Sequence, residues 1–72
     1  MRNWINVERA KRKMTQEELA KVLKINRHSV NAIETGRYTP SAIIALRIAR
    51  YFNVKVEDIF FIEDEEYYLN QD

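Results

Sequence analysis

Residues 14–36 read MTQEELAKVLKINRHSVNAIETG, a stretch with two helix starts, one tight turn and one helix stop. Thr15 stands just before an apolar-periodic run with Glu18 three places later. In that spacing hydroxyl and carboxylate each accept the other residue's backbone N–H, so a helix begins here. Leu19 and Leu23 form its inward side, with Val22 flanking them. Asn26 repeats the capping chemistry before a second run. At about 100° per residue this run sends Val30 and Ile33 inward, sets His28, Asn31, Ala32 and Thr35 on the opposite side and leaves Arg27 at the edge. Gly36, the single glycine of the chain, supplies the left-handed conformation that ends a helix at little cost. A turn of three or four residues, LKIN, separates the two runs. Helices that close in sequence must cross steeply and need a small side chain where they touch, and Ala20 stands at that place.

Outward from this pair, the helical period continues in both directions. A first helix is expected over residues 5–13, with Ile5 and the stem of Arg9 on one face. In TPSAIIALRIARYF, Thr39 reads as the cap and Pro40 as the first helical position, where its missing N–H costs nothing. Ile44, Ala45, Ile48, Ala49 and Phe52 then make the inner face, and Asn53 the left-handed stop. A last short helix over residues 56–60 brings Val56, Ile59 and Phe60 back over the core. No alternating stretch before residue 60 reads as a strand. The expected class is therefore all-α, a compact five-helix domain over residues 1–60 followed by an acidic and aromatic extension over 61–72. In FIEDEEYYLNQD, Phe61, Ile62, Tyr67, Tyr68 and Leu69 are too apolar for a purely solvating tail. A strand or helix packed on a partner chain and a frayed end both remain open for it.

Composition narrows the function classes. Seventy-two residues suffice for one small domain, too little for two cores or a deep enclosed catalytic pocket. With no cysteine and one histidine, neither a disulfide framework nor a zinc centre is expected, and no cofactor is called for. No apolar run approaches a membrane span and the first residues lack a signal-peptide pattern, so the chain is read as cytoplasmic with no membrane partner. An enzyme finds no support, since the one histidine lies on an exposed helix side and the carboxylates concentrate in a terminal run. The net charge of +1 hides an uneven distribution: residues 1–55 hold all twelve Lys and Arg against four acids, net +8, and residues 56–72 hold seven acids and no base. A basic body attracts polyanions, of which nucleic acid is the commonest for a soluble domain; a merely solvated lysine-rich surface is the plainer alternative.

The spacing of caps, turn and stop is that of a helix-turn-helix, and MTQEELAKVLKINRHSVNAIETGRYTPS resembles that of the phage repressor and Cro family of transcription regulators, also called XRE-like. The resemblance continues through ALRIARYFNVKVEDIF and covers residues 3 to about 60. It implies a lambda-repressor-like DNA-binding fold whose third helix enters the major groove of double-stranded DNA and reads base edges from its first turn. On that footing Arg27 is the first candidate for a bidentate bond to guanine O6 and N7. His28 would make one bond to a base or phosphate, Asn31 would pair with adenine N6 and N7, and Ala32 would touch a thymine methyl. Gln16 resembles the family glutamine that bonds a phosphate and braces the recognition helix, and Arg37, Tyr38 and Thr39 follow that helix as the family's phosphate-clasping loop does. Arg9 and Glu34 match a pair that forms a structural ion bridge in relatives.

The departures from the family pattern are as informative. Lys24 stands where the turn usually has glycine, so it must accept a positive φ or reshape the turn. Lys55 replaces a frequent capping serine. Ile43 replaces a polar residue on the outside of the fourth helix, and with Leu46 it leaves apolar surface that a monomer would not favour. Ile43, Leu46, Val56, Ile59 and Phe61 are therefore candidate dimer contacts. The resulting expectation is a sequence-specific regulator, a homodimeric repressor on a near-palindromic operator. The alternative is an antitoxin-like or other protein-interaction module that uses the acidic C-terminal segment.

Overall fold

Thr15 and Glu18 close the expected capping box, each side chain accepting the other's backbone N–H at 3.0 Å. The Thr15 N–H holds the Glu18 carboxyl below its ordinary value of 4.5. The structure is a computed structural model that describes residues 1–63, so the readings for Tyr67, Tyr68 and Leu69 lie outside the described residues. Its elements run β1 (Arg2–Asn3), α1 (Ile5–Lys11), α2 (Gln16–Leu23), α3 (Arg27–Glu34), α4 (Ala42–Phe52), α5 (Val56–Ile59) and β2 (Phe60–Phe61). The class is all-α, with five helices and a ribbon two residues long among the described residues.

The turn between α2 and α3 is made by Lys24 itself. It takes φ 58° and ψ 41°, the left-handed conformation for which glycine is the usual residue, and Ile25 N–H bonds back to Ala20 O at 3.1 Å. Asn26 Oδ1 then accepts from Ser29 N–H at 2.8 Å and starts α3. Gly36 ends the segment at φ 78° and Asn53 ends α4 at φ 58°.

Three boundaries depart from the sequence reading. Ser41, not Thr39, caps α4, its hydroxyl accepting from Ile44 N–H at 3.2 Å. Pro40 is buried in the preceding loop and does not begin the helix. Helix α1 stops at Lys11 because Arg12 leaves helical geometry and Lys13 turns left-handed at φ 52°. Helix α5 ends at Ile59 because Phe60 is extended and opens β2. That strand pairs antiparallel with β1 in the register Arg2↔Phe61 and Asn3↔Phe60, so Phe61 packs on its own chain's first residues. A strand of two residues has no alternation to read, which is why periodicity misses both.

The core gathers Ile5, Leu19, Leu23, Val30, Ile33, Ile48, Phe52 and Ile59, each 1–2% exposed, with Ala20 and Ala49 at 3% and 4%. Each such aliphatic or aromatic side chain contributes roughly 1.5–3 kcal/mol by leaving water. Ile44, expected on the inner face of α4, is half-buried and packs against this cluster. Two arginines bind the frame by donating to carbonyls at helix ends: Arg47 Nη2 to Leu23 O at 2.7 Å and Arg12 Nη2 to Phe52 O at 3.0 Å. Among the described residues no helix is long and apolar enough to cross a membrane.

Candidate nucleic-acid interface

With Val30 and Ile33 committed to the core, the other side of α3 is turned outward. Arg27 and His28 are exposed in its first turn; Asn31 and Ala32, one turn on, are half-buried. The loop that follows hangs from two carbonyls of the last turn. Gly36 N–H donates to Ile33 O at 3.1 Å, and the N–H groups of Arg37 and Tyr38 both donate to Ala32 O, at 3.0 and 3.1 Å. This folds the loop back beside the helix, so a shallow open pocket is lined by Asn26, His28, Ser29, Ala32 and Tyr38. Arg37, Tyr38 and Thr39 are all exposed, and Arg37 Nε donates to Thr35 Oγ1 at 3.1 Å. His28, Ala32 and Tyr38 are thus brought to one place, with Arg27 near the helix start outside the pocket.

Behind this side lies a polar network joining three helices. Gln16 Nε2, at the start of α2, donates to Asn31 Oδ1 and to Glu34 Oε1, both at 3.2 Å. Arg9 of α1 grips the same carboxylate in a fork: Nε donates to Oε2 at 2.6 Å and Nη2 to Oε1 at 2.9 Å, while Nη1 donates to Met14 O at 2.8 Å. The side chains of Arg9 and Glu34 are 18% and 7% exposed, and the bonds to Glu34 hold the guanidinium above its ordinary value. Gln16 therefore fixes the amide of Asn31 with its oxygen toward α2, and Glu34 is anchored by donors from both α1 and α2.

Asn3 bridges two helix ends, a link that nothing in its sequence neighbourhood singles out. Its Nδ2 donates to Ile33 O at 2.9 Å, at the end of α3, and its Oδ1 accepts from Ile5 N–H at 3.2 Å, at the start of α1. An asparagine two places before a helix signals only the second of these bonds; the first spans thirty residues.

The candidate dimer contacts divide. Ile43 and Leu46 on α4 are 69% and 56% exposed, and Val56 is half-buried against the core. Ile59 is 1% exposed, a core residue that cannot reach a second chain, and this corrects the expectation for it. Phe61 is half-buried, its ring 5.5 Å from that of Trp4 and 5.7 Å from the Arg2 guanidinium carbon, so much of it is occupied within the chain. Among the described residues no three His, Cys, Asp or Glu side chains are grouped so as to hold a metal ion.

The model of the helix-turn-helix family matches residues 7–59, from within α1 to the end of α5. An uncharacterized HTH-type transcriptional regulator of Methanocaldococcus jannaschii is 48% identical over 66 residues, spanning 92% of this chain and 100% of the relative. One from Archaeoglobus fulgidus is 50% identical over 66 residues, covering 92% and 93%. The regulator YgzD of Bacillus subtilis is 40% identical over 65 residues, covering 90% and 98%. Two capped helices joined by a tight turn, the outward side of the second of them and these likenesses over nearly the whole chain agree: the protein belongs to the XRE-like helix-turn-helix family of DNA-binding transcriptional regulators, a non-enzymatic family.

Proposed function

We propose that the protein is a repressor that binds a near-palindromic operator as a homodimer, with α3 lying in the major groove. The observation that carries this reading is the outward side of α3, where Arg27 and His28 are exposed beside a loop of exposed Arg37, Tyr38 and Thr39. Arg27 takes guanine, its guanidinium fork matching O6 and N7. His28 adds one bond to a base or phosphate, and Ala32 meets a thymine methyl. Asn31 pairs with adenine: its oxygen has two lone pairs, so it can accept from adenine N6 as well as from Gln16, while Nδ2 donates to N7. Gln16 at the start of α2, together with Arg37, Tyr38 and Thr39, positions the helix by donating to phosphates and carries no sequence information.

Two copies related by a two-fold axis would place their α3 helices about 34–36 Å apart, one turn of the duplex. Repression follows from occluding a promoter, and the dimer multiplies two weak readings into one strong one. Selection of bound duplexes from a random pool tests this. A consensus with two-fold symmetry is expected, with affinity falling against salt at a log–log slope of about −0.9 per neutralised phosphate. An asymmetric consensus would argue against the dimer, and none at low ionic strength against the reading as a whole.

A further inference from the structure

Residues 1–3 receive no role from the motif, yet the chain places Asn3 between two helix ends. Its backbone is fixed by pairing with Phe60 across the ribbon, and the next residue is held by Trp4 N–H donating to Ile59 O at 2.9 Å. From that fixed point one half-buried amide reaches both ways, accepting from Ile5 N–H where α1 starts and donating to Ile33 O where α3 ends. Ile33 O also accepts from Gly36, and its neighbour Ala32 O accepts from Arg37 and Tyr38. The loop proposed to clasp phosphates therefore hangs from the turn of α3 that Asn3 grips from another element. At Gly36 a β-carbon would lie in ordinary contact, 3.5 Å from Met1 O, and it is the φ of 78° that disfavours a side chain.

We infer that Asn3 is a positioning residue for DNA binding, which ties the last turn of α3 to the start of α1 and so sets where residues 37–39 meet the DNA backbone. This inference rests on α3 being the groove helix. The base-reading residues of α3 have separate supports, the Asn26 cap at the first turn and the bond from Gln16 to Asn31 one turn on. Cutting the Asn3 tie thus loosens the turn from which the phosphate loop hangs while leaving the base-reading end in place. That gives a signature distinct from general destabilisation: a weaker hold on phosphates with the same base preference.

An amide is required because the two bonds need opposite chemistry. Asn3→Asp keeps an acceptor for Ile5 N–H, and an anion at a helix start is favourable. It loses the donor, however, and sets a carboxylate against the Ile33 carbonyl at the negative end of α3. Asn3→Ser keeps a capping oxygen but is too short to reach Ile33, and serves as the second variant should the aspartate fail to fold.

The test measures binding of the full chain and of each folded variant to a duplex carrying the selected consensus, across a salt series. Expected for both variants is roughly three- to tenfold weaker binding at low salt. The log–log salt slope should be shallower by about 0.9 for each phosphate that the loosened loop no longer neutralises, with the selected consensus unchanged. Variants that are folded and bind with wild-type affinity and slope overturn the inference alone. A wild-type chain that selects no sequence overturns the reading beneath it.

Discussion

Arg9 sits in the first helix and is directed at the third. Its fork on Glu34 takes up guanidinium and carboxylate together, and its remaining nitrogen satisfies Met14 O. With Glu34 7% exposed, replacing Arg9 leaves a carboxylate in a site that water reaches poorly. Arg9→Ala should therefore cost about 3 kcal/mol of stability, seen as a lower denaturant midpoint, before it changes any base preference. A midpoint equal to wild type would show that the pair is not structural. At this scale the sequence is informative where chemistry is local. The outward Arg27, the inward Val30 and Ile33 and the left-handed Gly36 all follow from period and residue type. It is uninformative where a bond depends on distant chain: nothing near Asn3 announces Ile33.

Among the elements, the turn from α2 to α3 sets how α3 is presented, and it contains a residue poorly suited to its backbone. Lys24 at φ 58° brings its β-carbon close to the following carbonyl, a crowding that glycine lacks. Lys24→Gly is expected to raise stability by about 0.5–1 kcal/mol in denaturant unfolding without altering the operator selected. A loss of stability would mean that the interactions of the lysine side chain outweigh the strain. Caps with a hydroxyl or amide ahead of an apolar run are readable, as at Thr15 and Asn26. The start of α4 is not. Thr39, Pro40 and Ser41 each offer a plausible beginning, and burial of Pro40 in the loop decides for Ser41. The ribbon is out of reach for a different reason. Two strands of two residues are created by Trp4 meeting Phe61 and by the return of α5 over the core, contacts that exist only in the folded chain.

For the whole molecule, two surfaces remain to be joined to function. The body of residues 1–55 carries net +8, which suits a polyanionic duplex and makes binding salt-dependent. On α4, Ile43 and Leu46 stay exposed although they are large and apolar, and they are the strongest remaining candidates for the contact between two copies. On the proposed dimer, replacing both by glutamate should shift the sedimenting species from dimer to monomer while the helical content stays that of wild type, because neither residue is in the core. A double variant that sediments as wild type would place the interface elsewhere. The claim on which everything else depends is that α3 lies in the major groove led by Arg27, and guanine N7 methylation interference on the selected operator tests it most directly. The account predicts that methylating one guanine in each half-site blocks the wild-type protein and that Arg27→Ala, binding more weakly, becomes indifferent to those same methyl groups. Wild-type binding that tolerates methylation at every guanine, or an Arg27→Ala pattern identical to wild type, would contradict it.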